Sequence, residues 1–236
     1  MTADSGHVTD LAAGRHGDPF SVLGRHRLNG GEVIRCFQPR TKSLWLEDES
    51  RPMRRLSGTD LFEYVASPGE IPPHYRVIRE TDAGSRFTRH DPYSFWPQLD
   101  LGEMAAFNYG RHRHAHMLLG ARPHEVSGVA GTLFAVWAPN AGRVSVVGDF
   151  NEWDGRFHPM RYHADQGIWE LFIPDIDQGP YRFEIINAKT GELLTKADPF
   201  ARSSEFRPGT ASLITGRPGH TWLDDAWQRA KAAGGW

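Results

Sequence analysis

The sequence predicts an all-β fold: two tandem immunoglobulin-like β-sandwiches, a short helical linker between them and a short helical tail. Three observations carry this reading. The 236 residues contain 25 Gly and 16 Pro, which punctuate the chain too often for long helices. The apolar stretches between them are short and rich in β-branched and aromatic residues, as half-buried strands require. The second half of the chain also repeats the grammar of the first.

In chain order, Asp18-Pro-Phe-Ser-Val-Leu-Gly24 opens the ordered part, and residues 1–17 are expected to be disordered. Glu32–Gln38 is a strand stopped by Pro39, and 41–47 is the next, carrying Leu44, Trp45 and Leu46. A short segment at 51–56 precedes the strand 60–65, which Ser67-Pro-Gly69 closes. Residues 74–79 and 85–88 flank Asp82-Ala-Gly84 as a hairpin. Asp91-Pro-Tyr93 ends the unit, so the first sandwich is expected over 18–97. Residues 98–118 form the linker, in which Leu101, Met104, Ala105 and Phe107 have helical spacing until Gly110 interrupts them. The second sandwich is expected over 119–216. In the strand at 133–138, both faces carry apolar groups, which suits the centre of a sandwich. Asn140-Ala-Gly142 turns the chain into the Val144, Val146, Val147 strand, and Gly148–Gly155 is a polar loop that presents Trp153. Trp137 and Trp169 lie inside strands and are expected to pack in the core. Thr221 is a fitting N-cap for a tail helix.

The repeat is a series of short matches in the same order. Leu23-Gly24 and Leu119-Gly120 lie 96 residues apart, and Phe37-Gln-Pro39 and Trp137-Ala-Pro139 lie 100 apart. Pro52-Met-Arg54 matches Pro159-Met-Arg161, Leu61-Phe-Glu63 matches Ile168-Trp-Glu170, and Asp91-Pro-Tyr93 matches Asp198-Pro-Phe200, all at 107. Tyr75-Arg76 matches Tyr181-Arg182 at 106. The drift from 100 to 107 places about seven additional residues in the second copy between Trp137 and Pro159, where the Trp153 loop sits. A roughly 100-residue unit is the usual size of such a sandwich. Each copy is therefore expected to fold alone.

Composition narrows the function. A net charge of −2 offers no basic excess for nucleic acid. No run is long and apolar enough to span a bilayer, and the first 17 residues lack a signal-peptide core. With the lone Cys36, these features point to a cytoplasmic protein without a disulfide framework. No phosphate loop, nucleophile elbow or paired-cysteine motif is present, and no cofactor is expected. His112, His114 and His116 alternate, but no Cys or carboxylate joins them at ligand spacing, so no metal site is expected. Asp149 and Asp154 sit among Gly and Asn, which favours turn formation over paired-carboxylate catalysis.

Several segments resemble a known family. Asp91-Pro-Tyr-Ser-Phe95, Tyr109-Gly-Arg-His112, Phe134-Ala-Val-Trp-Ala-Pro-Asn-Ala141, Arg143–Asn151, Trp153-Asp-Gly-Arg156, Gly167–Pro174, Tyr181–Ile185 and Lys196–Phe200 resemble the N-terminal region of bacterial 1,4-α-glucan (glycogen) branching enzymes. In that family two sandwiches, the second a family 48 carbohydrate-binding module, precede an α-amylase-type barrel that carries the catalytic carboxylates. The resemblance implies a non-catalytic part that docks on the barrel and orients α-glucan chains, with residues 217–236 leading toward that missing barrel. It implies an α-glucan and the barrel as partners. A stand-alone glycogen-binding module, or the same region of a debranching or trehalose-forming enzyme, are the alternatives.

The resemblance also supplies candidate glucan contacts. Trp153 aligns with the ring that stacks on glucose in glycogen-binding members, Asn151 helps form its turn, and Arg182 stands where those members have a sugar-binding Lys. Their second aromatic is replaced here by Leu193 and Leu194. Packing of Trp153 against a neighbouring domain is therefore the first expectation, and sugar stacking the second.

Overall fold

The computed structural model describes residues 5–28, 30–216 and 223–234. The tail cap Thr221 and the neighbouring Trp222 lie outside these residues. The first half holds helix α1 (Ser5–Ala12) and strands β1 (Gly24–Leu28), β2 (Gly31–Phe37), β3 (Thr41–Leu46), β4 (Arg54–Arg55), β5 (Leu61–Ala66), β6 (Arg76–Thr81) and β7 (Arg86–His90). The linker forms α2 (Leu101–Asn108) and α3 (Ala115–Leu118). The second half holds β8 (Gly120–Val126), β9 (Val129–Trp137), β10 (Ala141–Gly148), β11 (Arg161–His163), β12 (Ile168–Pro174), β13 (Gly179–Asn187), β14 (Leu193–Lys196) and β15 (Ser212–Ile214), followed by α4 (Asp225–Ala232). No helix among the described residues is long and apolar enough to cross a membrane.

The repeat is present in the topology. One sheet of the first half runs β1-β2-β5-β4 and its counterpart in the second runs β8-β9-β12-β11. The facing sheets run β3-β6-β7 and β10-β13-β14, with β15 added on β13. Several of the sequence matches correspond to a bond made twice. Met53 N–H donates to Leu44 O and Met160 N–H to Val144 O, both at 2.8 Å. Gln38 N–H donates to Asp60 O and Ala138 N–H to Gly167 O, both at 2.9 Å. The Tyr75 hydroxyl donates to buried Asp91 at 2.6 Å, and the Tyr181 hydroxyl to buried Asp198 at 2.5 Å. The other oxygen of each aspartate accepts the N–H two residues on, from Tyr93 or Phe200, which is the Asx turn that Asp-Pro favours. Burial pushes both phenols up, so they remain donors.

The cores explain the patterning. Ile34, Cys36, Leu44, Leu46, Phe62, Tyr75 and Val77 fill the first sandwich. In the second, alternate residues of β9 and β12 face two cores. Phe134, Val136, Trp169 and Leu171 face β10 and β13. Leu133, Ala135, Ile168 and Phe172 face the linker, packing against Phe95, Leu99, Met104 and Leu118. Apolar groups on both faces of β9 are therefore required, because α2 and α3 cover the outer face.

The structure departs from the sequence reading in two places. Residues 5–12 are helical, with Val8 and Leu11 buried, where disorder was expected. Two apolar side chains three residues apart suffice once a tertiary surface receives them. Trp137 is 51% exposed rather than in the core. It ends β9 and meets the edge of Phe107 at a centroid distance of 6.3 Å.

The two sandwiches also share buried contacts. Val8, Leu11, Val22, Leu23, Phe37, Leu61 and Tyr93 belong to the same continuous apolar cluster as the second core.

Candidate functional site

The additional residues of the second copy form a loop between β10 and the segment at His158–Met160. Val146 N–H donates to His158 O as Leu46 N–H donates to Arg51 O, so the added residues lie between these two anchors. Gly148 opens the loop, and its N–H donates to Asn151 Oδ1 at 2.9 Å. A Cβ on Gly148 would collide with Pro180 O and the Phe150 ring. Asn151 Nδ2 donates to Val146 O at 2.8 Å and meets His158 Nδ1 at 2.8 Å. Glu152 and Trp153 then both adopt left-handed backbone, φ 59° and 58°. Such a conformation costs about 1–2 kcal/mol per non-glycine residue. The Trp153 indole N–H donating to Asp149 Oδ1 at 2.8 Å and the Trp153 N–H donating to Gly148 O at 3.0 Å hold it in place.

This loop is clamped from the first sandwich. Arg40 pairs with Glu152 at 3.1 Å and with Asp154 at 3.3 Å, and Arg79 pairs with Glu152 at 3.3 Å. The Arg79 guanidinium lies over the Phe157 ring, 4.8 Å from its centroid. The Arg89 guanidinium donates to Phe150 O at 3.1 Å, and the Tyr93 hydroxyl to Pro159 O at 3.0 Å. Burial would raise the Asp154 carboxyl, but its hydrogen bonds from Arg156 and the charge of Arg40 outweigh that and hold it below the usual range.

The Trp153 ring is 40% exposed. It lines a groove together with Leu193 of β14, 57% exposed, and Ile186, its cross-strand neighbour on β13. Arg143, Arg156 and Glu184 line the same groove, as do Gly14 and Arg15 after α1. Arg143 is buried; one nitrogen pairs with Glu184 and another donates to Gly155 O at 3.2 Å. A Cβ on Gly155 would meet the Glu184 carboxylate and push it from its place beside Arg143.

Of the three residues singled out from the sequence, the structure brings only Trp153 to this groove. Asn151 is 2% exposed and its amide is committed to the loop. Arg182 lies across from Val147 on β13, bonds Thr210 Oγ1 and is outside the groove lining. Leu193, which in sequence reads as the loss of a second platform, is brought into the same groove lining as Trp153. Asp149 and Asp154 serve the loop through Trp153 and Arg156, as turn residues would. Among the described residues no group of three or more His, Cys, Asp or Glu could hold a metal ion. His112 pairs with Glu103 at 2.7 Å instead.

Two groups near the loop, buried Asp91 and half-buried His158, give a pH dependence with opposing signs. Burial raises Asp91 to about 6. Its folded pKa lies above the unfolded one, so its contribution is greatest below about pH 4 and is lost as pH rises to about 6. Burial and the charge of Arg89 push His158 down to about 3. Its contribution is present above about pH 6.5 and is lost as pH falls toward 3. The melting temperature of the chain should therefore change little between pH 4 and 6. In Asp91→Asn it should rise steadily with pH over that window, and in His158→Asn it should fall; parallel profiles for all three proteins would refute the assignment.

Comparison with known proteins gives two family matches in tandem. Residues 4–93 match the family described as the α-1,4-glucan branching enzyme GlgB N-terminal domain. Residues 118–201 match carbohydrate-binding module 48, described as the isoamylase N-terminal domain. The chain is 44% identical over 218 residues to the 1,4-α-glucan branching enzyme GlgB of Methylococcus capsulatus, covering 92% of this chain and 30% of that one. It is 43% identical over 232 residues to that of Cellvibrio japonicus, covering 94% and 32%, and 42% identical over 234 residues to that of Methylobacillus flagellatus, covering 98% and 32%. The chain thus spans about a third of the length of the relatives it matches.

Proposed function

This chain belongs to the N-terminal region of the 1,4-α-glucan branching enzyme family, and we propose that it is a non-catalytic unit that holds and orients α-glucan chains for a catalytic barrel. The parent reaction would move an α-1,4-linked segment onto an α-1,6 position, in the cytoplasm. The described residues form sheets whose strand pairs are antiparallel. The observation that carries the reading is the Trp153 ring, held by the Asp149 carboxylate on a clamped loop and lining a groove that also holds the exposed Leu193. A flat, part-exposed ring fits the apolar face of a pyranose, and Arg156 and Glu184 in the same lining suit its hydroxyls. Fixing a glucan outside the active site sets which segment reaches the chemistry. Docking on a barrel is supported by exposed rings around the linker, with Trp96 79%, Tyr109 76% and Trp137 51% exposed.

Two outcomes are expected of the 236-residue chain. It should show no transfer or hydrolysis on amylose; measurable branching would overturn the non-catalytic reading. With one ring rather than two, glycogen in a native gel should retard it only weakly. Leu193→Trp supplies the second ring and should tighten binding about tenfold, the worth of one well-placed aromatic contact. Unchanged mobility of that variant would place the sugar elsewhere.

A further inference from the structure

The loop that carries Trp153 has a second recess on its other side. This cleft of about 160 Å³ lies between the sandwiches, with β7 and the turn after β2 on one wall and the start of the loop and the end of β12 on the other. Asp149 and Glu152 border it while Trp153 borders the groove, so the loop is a partition between the two. We propose that this cleft is a second sugar site, taking one glucosyl ring of an α-glucan; the proposal rests on the glucan reading above.

Its chemistry selects a neutral polyol. Phe87 on the edge strand β7 is 47% exposed, and Phe150 lies on the opposite wall. Two apolar ring faces suit the two faces of a pyranose. Gln38, Arg89 and Asp149 add an amide, a donor and an acceptor at fixed positions. Charge is largely committed within the wall: Arg79 is paired with Glu152, Asp91 accepts from Tyr75 and Tyr93, and Arg89 and Asp149 of opposite sign share the lining, so no strong excess of one sign favours an ion. The volume equals that of about five water molecules, enough for one ring and too little for a chain. The walls are preformed. Arg89 donates to Phe150 O across the cleft at 3.1 Å, and His90 N–H donates to Asp175 at 2.8 Å at its side, so little ordering entropy opposes binding.

Amide resonances of the 236-residue chain titrated with maltotriose test this. Two groups of shifts are expected, one around Gly155, Ile186 and Leu193 and one around Phe87–His90 and Phe150. Leu193→Asp should weaken the first group alone. Phe87→Ala should weaken the second about tenfold, and Phe87→Tyr, which keeps the ring, should leave it within about twofold. Phe87 is on the surface, so the remaining spectrum reports that the fold is kept. Shifts confined to the first group, or a second group indifferent to Phe87→Ala, would overturn the cleft while leaving glucan binding intact. No shifts in either group would remove the glucan reading itself.

Discussion

A chain shortened to residues 101–236 should lose its cooperative thermal unfolding. Calorimetry of the intact chain should show one transition, and the shortened chain should show none, with an exposed apolar surface that binds hydrophobic dyes. The repeat in the sequence argues the opposite, because each copy has the size and strand order of an independent sandwich. The contacts decide between them. Removing the first half strips Val8, Leu11, Val22, Leu23, Phe37, Leu61 and Tyr93 from the cluster around Phe134, Val146 and Tyr181. A fully buried apolar side chain contributes about 1.5–3 kcal/mol, so even half of that for each side chain totals on the order of 5–10 kcal/mol. That is comparable with the whole stability of a typical domain. The cut also leaves Glu152 without Arg40 and Arg79, and buried Glu170 without the N–H groups of Gln98 and Leu99. A shortened chain that melts at the temperature of the intact one would show that the two cores are independent.

Gly24→Ala and Gly120→Ala should each destabilise the chain by about 3 kcal/mol or more, lowering its melting temperature by roughly 6–12 °C. Both glycines open the first strand of their copy with left-handed backbone, φ 82° and 97°. A Cβ at Gly120 would lie 2.8 Å from Phe200 O, and at Gly24 it would lie closer still to Tyr93 O. The opposing atoms are backbone held by the Asp-Pro turn, so they cannot move without breaking the Asp–Tyr pair. The matching control is Gly58→Ala, where φ is 72° but nothing lies within 4 Å, and only the conformational cost of about 1–2 kcal/mol should appear. Equal losses at all three positions would mean that the close approach contributes nothing.

These two glycines also show why the fold was legible. Leu23-Gly24 and Asp91-Pro-Tyr93 look like unrelated short stretches in the sequence, but they meet in space, and their repeats meet in the same way. Local rules reveal such matches because turn glycines, Asx turns and strand alternation act within a few residues. The candidate site was only partly legible. Trp153 could be singled out because a large ring on a polar turn is unusual. Leu193 could not, because its place in the same groove as Trp153 depends on how far β14 runs along β13. Asn151 reads as a turn former and a candidate glucan contact, and its buried amide is committed to closing the loop, while Arg182 bonds Thr210 outside the groove. The N-terminal helix escaped notice because its order comes from the surface that receives Val8 and Leu11, and its own sequence carries too few apolar positions to signal it.

The glucan reading rests on the Trp153 ring, and the dissociation constant for maltoheptaose of the chain and of Trp153→Ala tests it most directly. The intact chain should bind at roughly millimolar strength, as one ring and a few hydrogen bonds allow. Trp153→Ala, with its fold verified by an unchanged melting transition, should weaken the groove contribution about tenfold or more. Equal dissociation constants for the two proteins would contradict the account.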